Sequence, residues 1–497
     1  MADPSRFIQR STIDDVLKDD YEDTLYESFR SGDNYMYEMH CGKANGTIRG
    51  SKLIIKNQLY HPAGGGFGLE QDAFPYPNAP DFAEFQLGLA WLRGTGLVTK
   101  QAEDDSKGDL SWIEAWDKAQ SDLVMALKRL ASLQMYSNRW TFLASVSEAT
   151  ITSPAASATV IYLKDGQAAS ATETWEGTYD DCGARRILEN SYVSFIKKDG
   201  TRIAQAADAA AFIFQVTGRT STSITVTPAV HEDISDVLVV SPAVAGDLGK
   251  GVRVVPMESF NLGVDGSFAG VGQADIAGEA AAGPRGKGTY GWEEIVSNDS
   301  YNMSGLYGDY GAYDRSSTNV FESTVVDKAY GDLNEDDLED LLDAIEGKCG
   351  KSLDENGVLS SHRSVFKVIK RWNSDDIRYE ARMSPLGMPD GSVSWVNGEK
   401  VHRFHVDAQC PARTLWAMNR NELQVYENIK LQFVDDDNHI LRMSRDPTTG
   451  RMRDMWEFGM RQRYQIFSAL PQAHGKIVRI GGTRPQYGQN ESFVESF

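Results

Sequence analysis

The chain has 497 residues, 41% of them hydrophobic, with 50 basic and 71 acidic side chains and a formal net charge of -21. That length suffices for several compact domains or one elongated subunit, and the apolar fraction excludes a chain disordered throughout. A surface this acidic repels DNA and RNA and disfavours a nucleic-acid-reading role, whereas a container that surrounds nucleic acid without gripping it is allowed.

Cys41, Cys182, Cys349 and Cys410 are far apart and form no CxxC pair, so reduced thiols are expected rather than a disulfide framework. The N-terminus shows no basic and then apolar signal pattern, and no apolar run approaches the ~20 residues of a membrane helix. The expectation is a soluble protein made in the cytoplasm.

In chain order, Ile13, Val16, Leu17, Tyr21, Leu25 and Phe29 recur at helical spacing between Ser11 and Gly32 and predict an amphipathic N-terminal arm docked on another surface. Two strand-like runs follow, Lys52–Tyr60 and Glu84–Leu92. They flank a tip containing Gly64, Gly65, Gly66 and Gly68, then Pro75, Pro77 and Pro80. This predicts a long hairpin. An isolated hairpin is marginal in water, and the simplest bed for this one is a second copy of the same chain.

Asp109 caps a predicted helix of about thirty residues, which at ~1.5 Å per residue spans some 45 Å. Its apolar face is Leu110, Ile113, Trp116, Leu123, Leu127, Leu130 and Leu133, and Trp112 and Trp116 read as core packing rather than a ligand-stacking pair. Residues 151 to 290 are β-rich and loop-rich, with strand patterns at Ser223–Thr227 and Asp236–Val240 and a turn at Asp199-Gly200 after Ser194–Ile196. Residues 263–291 read as an extended loop. Tyr301, Tyr307, Tyr310 and Tyr313 alternate with glycines in what reads as an exposed contact loop.

From Asn334 the pattern is mixed α/β. A helix over Glu335–Cys349, a strand over Gly357–Ser361 and a helix over Ser364–Trp372 are followed by strands at 401–406, 413–418, 424–434, 438–445, 462–468 and 476–480.

Chemistry is sparse. The stretch Gly283 to Thr289 has a phosphate-loop flavour with the wrong spacing, and Gly291 is read as preventing a following helix. His402, His405, Asp407 and Cys410 are close in sequence, but strand residues three apart point to opposite faces, so no shared metal is expected. Asp332, Asn334 and Asp336 imitate the start of a calcium loop, yet Asp337 stands where glycine is needed and Asp343 where glutamate is needed. Helix capping accounts for them better. Asp435, Asp436, Asp437 and Asn438 read as a hairpin turn. No catalytic, cofactor-binding or metal residue is assigned, and no enzyme activity is expected.

The order of parts — arm, long hairpin, long helix, β-rich segment, compact α/β segment, returning strand — resembles the major capsid protein of tailed bacteriophages. Local support comes from Asn138–Phe142 closing the helix, from Val406–Pro411 followed by Thr414–Asn419, and from Trp456–Phe467 with Ala469–Pro471 and Gly475–Ile477, which resemble a closing strand pair. The resemblance implies an α+β, HK97-like capsid fold. Residues 1–49 would be the N-terminal arm, 50–107 the extended E-loop hairpin and 108–154 the spine helix of the P-domain. Residues 155–325 would be a β-rich P-domain extension or insertion, 326–423 the α/β A-domain, and 424–497 the return to the P-domain with the C-terminal tail.

It further implies a subunit that self-assembles into hexamers and pentamers of an icosahedral shell around the phage genome. The shell would be built in the host cytoplasm and end in the virion. Implied partners are a portal, a possible decoration protein and, because only about 50 residues precede the hairpin, a separate scaffolding protein. Some members of the family crosslink a hairpin lysine. Lys52, Lys56 and Lys100 lie in or near this hairpin, with nothing that marks them as reactive. Two other classes stay open: another virion part, such as a tail or adhesin protein, and a carbohydrate-active enzyme.

Overall fold

The computed structural model describes residues 47–49, 52–60, 81–99, 109–137, 143–150, 159–165, 184, 186–196, 214–220, 223–227, 253–256, 288–298, 310, 322–328, 331–350, 353, 357–372, 394–397, 400–407, 409–411, 413–435, 440, 442–445 and 452–481. The predicted arm helix, the Gly/Pro tip, Lys100, the turn at Asp199, the strand at 236–240 and most of the acidic turn at 435–438 lie outside these residues.

Short strand β1 (Thr47–Arg49) lies antiparallel on β2 (Lys52–Tyr60), and β2 pairs with β3 (Asp81–Gly88) from Lys52 opposite Gly88 to Tyr60 opposite Asp81. The hairpin is therefore a three-stranded ribbon. Its second run does not continue as one strand to Leu92. It breaks at Leu89, and β4 (Ala90–Thr99) leaves for a different sheet. The alternation Leu92, Val98 inward and Trp91, Arg93, Thr95, Leu97 outward belongs to that second pairing.

In this second sheet the 17-residue β18 (Met452–Ser468) is central. One edge carries β4, and the other carries β16 (Leu423–Phe433) and β17 (Arg442–Arg445) in succession. Helix α1 (Asp109–Met135) packs across it, burying Trp116, Val124, Leu127 and Ala131 against Leu92, Phe458 and Met460. Leu123 and Leu130, expected on the inner face, are only partly buried. Gly96 is required here: a Cβ would stand 2.1 Å from Phe458 Cζ, so the Phe458 ring occupies the space above the glycine.

The β-rich middle closes into an antiparallel barrel of strand order β10-β5-β6-β9-β8-β7, formed by β5 (Ala144–Thr150), β6 (Thr159–Asp165), β7 (Tyr192–Ile196), β8 (Phe214–Arg219), β9 (Ser223–Thr227) and β10 (Arg253–Pro256). Ile161, Leu163, Phe195, Phe214, Val216, Ile224 and Val226 fill it, with the two phenylalanine rings edge to face at 5.2 Å. Closure removes the free edges that short strands would otherwise expose.

A mixed six-stranded sheet of order β11-β19-β15-β12-β14-β13 is formed by β11 (Thr324–Asp327), β12 (Gly357–Ser361), β13 (Ser394–Asn397), β14 (Lys400–Val406), β15 (Leu415–Asn419) and β19 (Gly475–Val478). Every residue of β15 is buried, as its unbroken apolar run Leu415 to Met418 requires of an interior strand. Helix α3 (Glu335–Cys349) lays Leu338, Leu341, Leu342 and Ile345 on this sheet. Helix α4 (Arg363–Trp372) adds Val365 and Ile369 to the same core.

Helix α3 begins with the expected cap. The Asn334 N–H donates to the Asp337 carboxylate at 2.8 Å, and Lys328 Nζ donates to the same side chain at 2.8 Å. Gly350 closes the helix at φ 64°. The expected closing strand pair is corrected: β18 and β19 do not pair. Pro471–Ala473 forms a 3-10 turn between them, and β19 joins β11 in parallel and β15 antiparallel in the other sheet.

Candidate assembly site

The root of the ribbon shows how it is held. Leu53 is 0% and Leu87 1% exposed; with Ile55 they join the core formed by α1 and the β18 sheet. Each such burial contributes about 1.5–3 kcal/mol. The root is therefore bedded in its own chain, which corrects the expectation that the hairpin finds no local partner. Further along, Lys56 is exposed opposite Glu84, and Lys52 sits at the base opposite Gly88. Neither position marks a reactive lysine.

The end of α1 is the second fixed point. Gln134 Nε2 donates to the Thr289 carbonyl at 3.3 Å. The Ser137 carbonyl accepts from the Glu293 N–H at 3.2 Å, at the start of the short helix α2 (Trp292–Ile295). Unsatisfied carbonyls of one helix end thus meet the unsatisfied donors of another. Gly291, read as preventing a helix, is the residue from which this one starts, because its missing side chain admits the carbonyls of α1.

Buried Tyr136 bonds Ser360 Oγ at 2.8 Å and meets Trp292 edge-on at 5.1 Å, and Trp292 meets Trp416 at 6.0 Å. Burial first, then the Asp407 carboxylate, raises the Tyr136 phenol well above its ordinary range, so it stays protonated. Arg186 links the barrel to the mixed sheet: its guanidinium donates to the Leu143 carbonyl at 3.4 Å and to the Gln409 carbonyl at 2.5 Å. Helix, barrel and mixed sheet meet here.

Tyr310 does not belong to an exposed loop. It is 1% exposed, its hydroxyl donates to the Ser468 carbonyl and accepts from the Ser468 N–H, both at 2.9 Å, and it packs edge-on against Tyr290. The glycine-rich composition around it hid a core anchor. His474 was equally illegible. It accepts from the Asn419 N–H at Nδ1 and so presents Nε2–H to Ser468 Oγ, at 3.1 and 2.8 Å.

Among the described residues no group of three or more His, Cys, Asp or Glu is placed to hold a metal. His402 pairs with Trp395 and His405 with Ser360 on opposite neighbours of β14. Asp407 accepts from the Gln409 N–H at 2.8 Å and shapes a turn. Cys349 and Cys410 carry thiols rather than a disulfide.

Burial lowers the His405 imidazole from 6.5 to about 4. The ring is thus neutral when folded, and stability that is full above the unfolded value is lost as pH falls from 6.5 toward 4. Urea unfolding at pH 7 and at pH 4.5 should show His405→Gln losing less stability between the two than the wild type; equal losses would count against the buried neutral ring.

No family model and no curated protein matches the sequence. Solved structures do. The capsid of the native GTA particle computed with C5 symmetry is 10% identical and superposes over 91% of this chain and 91% of that chain with a TM-score of 0.40. The Cyanophage A-1(L) capsid asymmetric unit is 11% identical over 86% and 88%, with a TM-score of 0.40. A chain of Mycobacterium phage Bobi is 10% identical over 95% and 98%, with a TM-score of 0.34. At these identities and TM-scores the chains superpose only loosely, and the assignment of function depends on the geometry of this chain.

Proposed function

We propose that this chain is a major capsid protein: the repeating subunit of a tailed-phage head, closing into an icosahedral shell around the genome. The observation that carries the reading is the ribbon. It is rooted in the core by Leu53, Ile55 and Leu87, paired without interruption from Lys52–Gly88 to Asn57–Ala83, and its two long strands are separated in sequence by a Gly/Pro-rich stretch. A ribbon anchored in its own core gives a subunit a fixed base for contacts with neighbours in the non-identical settings of a closed shell.

In this reading β2 and β3 form the E-loop and α1 is the spine of the P-domain. The mixed sheet with α3 and α4 is the A-domain, and the barrel is an insertion between them. Tyr136, Trp292, Trp416 and Arg186 hold the three at fixed angles. The function is geometric and uses no catalytic group. The chain's own copies are its principal partners, in hexamers and pentamers; a separate scaffolding protein, a portal and a decoration protein complete the head. Assembly takes place in the host cytoplasm and the product is the virion. The acidic balance suits a wall that does not adhere to its DNA.

Deleting residues 62–80 should leave a folded subunit that forms no closed particles. Circular dichroism and negative-stain microscopy of the expressed chain check both halves, and normal shells from the deletion would defeat the reading.

A further inference from the structure

One face of the β18 sheet departs from the charge of the whole molecule. Trp91, 37% exposed, stands opposite Arg463, and Arg93 stands opposite Arg461, on the outward side of β4 and β18. The guanidinium carbons of Arg93, Arg463 and Arg461 lie 5.2, 5.2 and 5.9 Å from the Trp91 ring centroid. The ring's negative face tolerates these cations, but it neutralises none of them.

Among the described residues no carboxylate lies within ion-pair distance of the three, and the Nε atoms of Arg461 and Arg463 are buried without a hydrogen-bond partner. Three positive charges in a chain of net charge -21 form a focused field for an anionic partner.

The same chain carries a matching surface. Helix α3 holds seven acids and one lysine, and Asp336, Glu339, Asp340, Asp343 and Glu346 are all on its exposed face. None of these five has an ion pair among the described residues. On a helix, residues three or four apart lie about 5–6 Å apart, which approximates the ~6.6 Å between alternate residues of one strand, the spacing of Trp91 and Arg93.

We propose that the Trp91–Arg93–Arg461–Arg463 face of one copy docks the acidic outer face of α3 of a second copy, with the arginine forks gripping carboxylates such as Glu339 and Asp343. The pairing joins two different surfaces of identical chains, head to tail, as a ring of subunits requires. It rests on the shell-subunit reading and adds a specific contact to it.

Charge exchange tests the contact. In the full-length chain, Arg93→Glu with Arg461→Glu should raise the concentration at half-assembly by roughly tenfold or more, and so should Glu339→Arg with Asp343→Arg. All four changes together should recover to within about threefold of wild type. Sedimentation velocity and negative-stain microscopy read assembly, and circular dichroism checks folding. The α3 exchange lies wholly on exposed positions and serves as the second variant if the arginine exchange unfolds the sheet.

Exchanged chains that assemble as wild type, or a fourfold variant no better than the pairs, would overturn the contact alone. A wild-type chain that stays monomeric would overturn the shell reading with it. Normal particles from the arginine exchange, with binding of a fluorescent single-stranded oligonucleotide lost, would overturn the contact by assigning the face to nucleic acid.

Discussion

Gly291→Ala should abolish the folded state. At this position the backbone is extended, with φ -98° and ψ 176°, which any residue adopts, so the constraint is space rather than conformation. A Cβ would stand 2.0 Å from the Ser137 carbonyl oxygen and 2.4 Å from that of Gln134. Both are backbone atoms at the end of α1, and neither can swing aside as a side-chain tip would. To make room, α2 must retreat and lose the Ser137–Glu293 hydrogen bond, and Trp292 must leave its place between Tyr136 and Trp416.

The cost falls at the far end for single substitutions, beyond about 4 kcal/mol. Expression with a solubility assay, followed by urea unfolding of whatever is soluble, measures it. A soluble Gly291→Ala chain with a wild-type midpoint would mean that α1 and α2 do not meet end to end.

Trp116→Ala should cost about 3–5 kcal/mol, the range for removing a buried large aromatic. Trp116 is 4% exposed. It lies 4.4 Å from Phe458 at a tilt of 53°, and 6.4 Å from Phe433. Phe458 is itself pinned over Gly96, so it cannot move far to fill the hole, and the cavity persists. Trp116→Phe keeps one ring of the contact and should lose less. Urea denaturation followed by circular dichroism compares the three chains, and an unchanged midpoint for the alanine variant would show that α1 is not packed on the β18 sheet through this residue.

Both predictions concern α1, and the two ends of that helix differ in how far sequence reaches. Its existence, its start at Asp109 and the burial of Trp116 and Leu127 follow from apolar residues recurring at helical spacing. The extents of α3 and β12 match those expected from sequence, whereas β15 and β16, expected at 413–418 and 424–434, run Leu415–Asn419 and Leu423–Phe433. Asn334 reads as a cap because Asp332, Asn334 and Asp336 imitate the start of a calcium loop while Asp337 and Asp343 stand where its glycine and glutamate are needed.

The strands of the barrel were legible only in part: Ser223–Thr227 alternates cleanly, but Ala144–Thr150 and Phe214–Arg219 carry polar residues that give no clear period. Their closure is a property of six separated segments. Tyr310 and His474 were missed for a related reason, since a lone Tyr among glycines or a lone His carries no periodic signal of burial. Of the proposed docking face, Trp91 and Arg93 are two residues apart, but Arg461 and Arg463 come from nearly 370 positions later, and only strand pairing brings them together.

The amino-acid sequence alone therefore determined the kinds of element, their order and the acidic character of the whole, because periodicity, capping and charge are properties of neighbours along the chain. Tertiary structure decided which strand pairs with which: that the ribbon's root is buried in its own core, that β4 leaves β3 to join β18, and that β18 and β19 part into different sheets. The physical reason is that a strand's free N–H and C=O groups accept any partner edge of suitable register, and side-chain burial on both faces, contributed by residues distant in sequence, chooses among them.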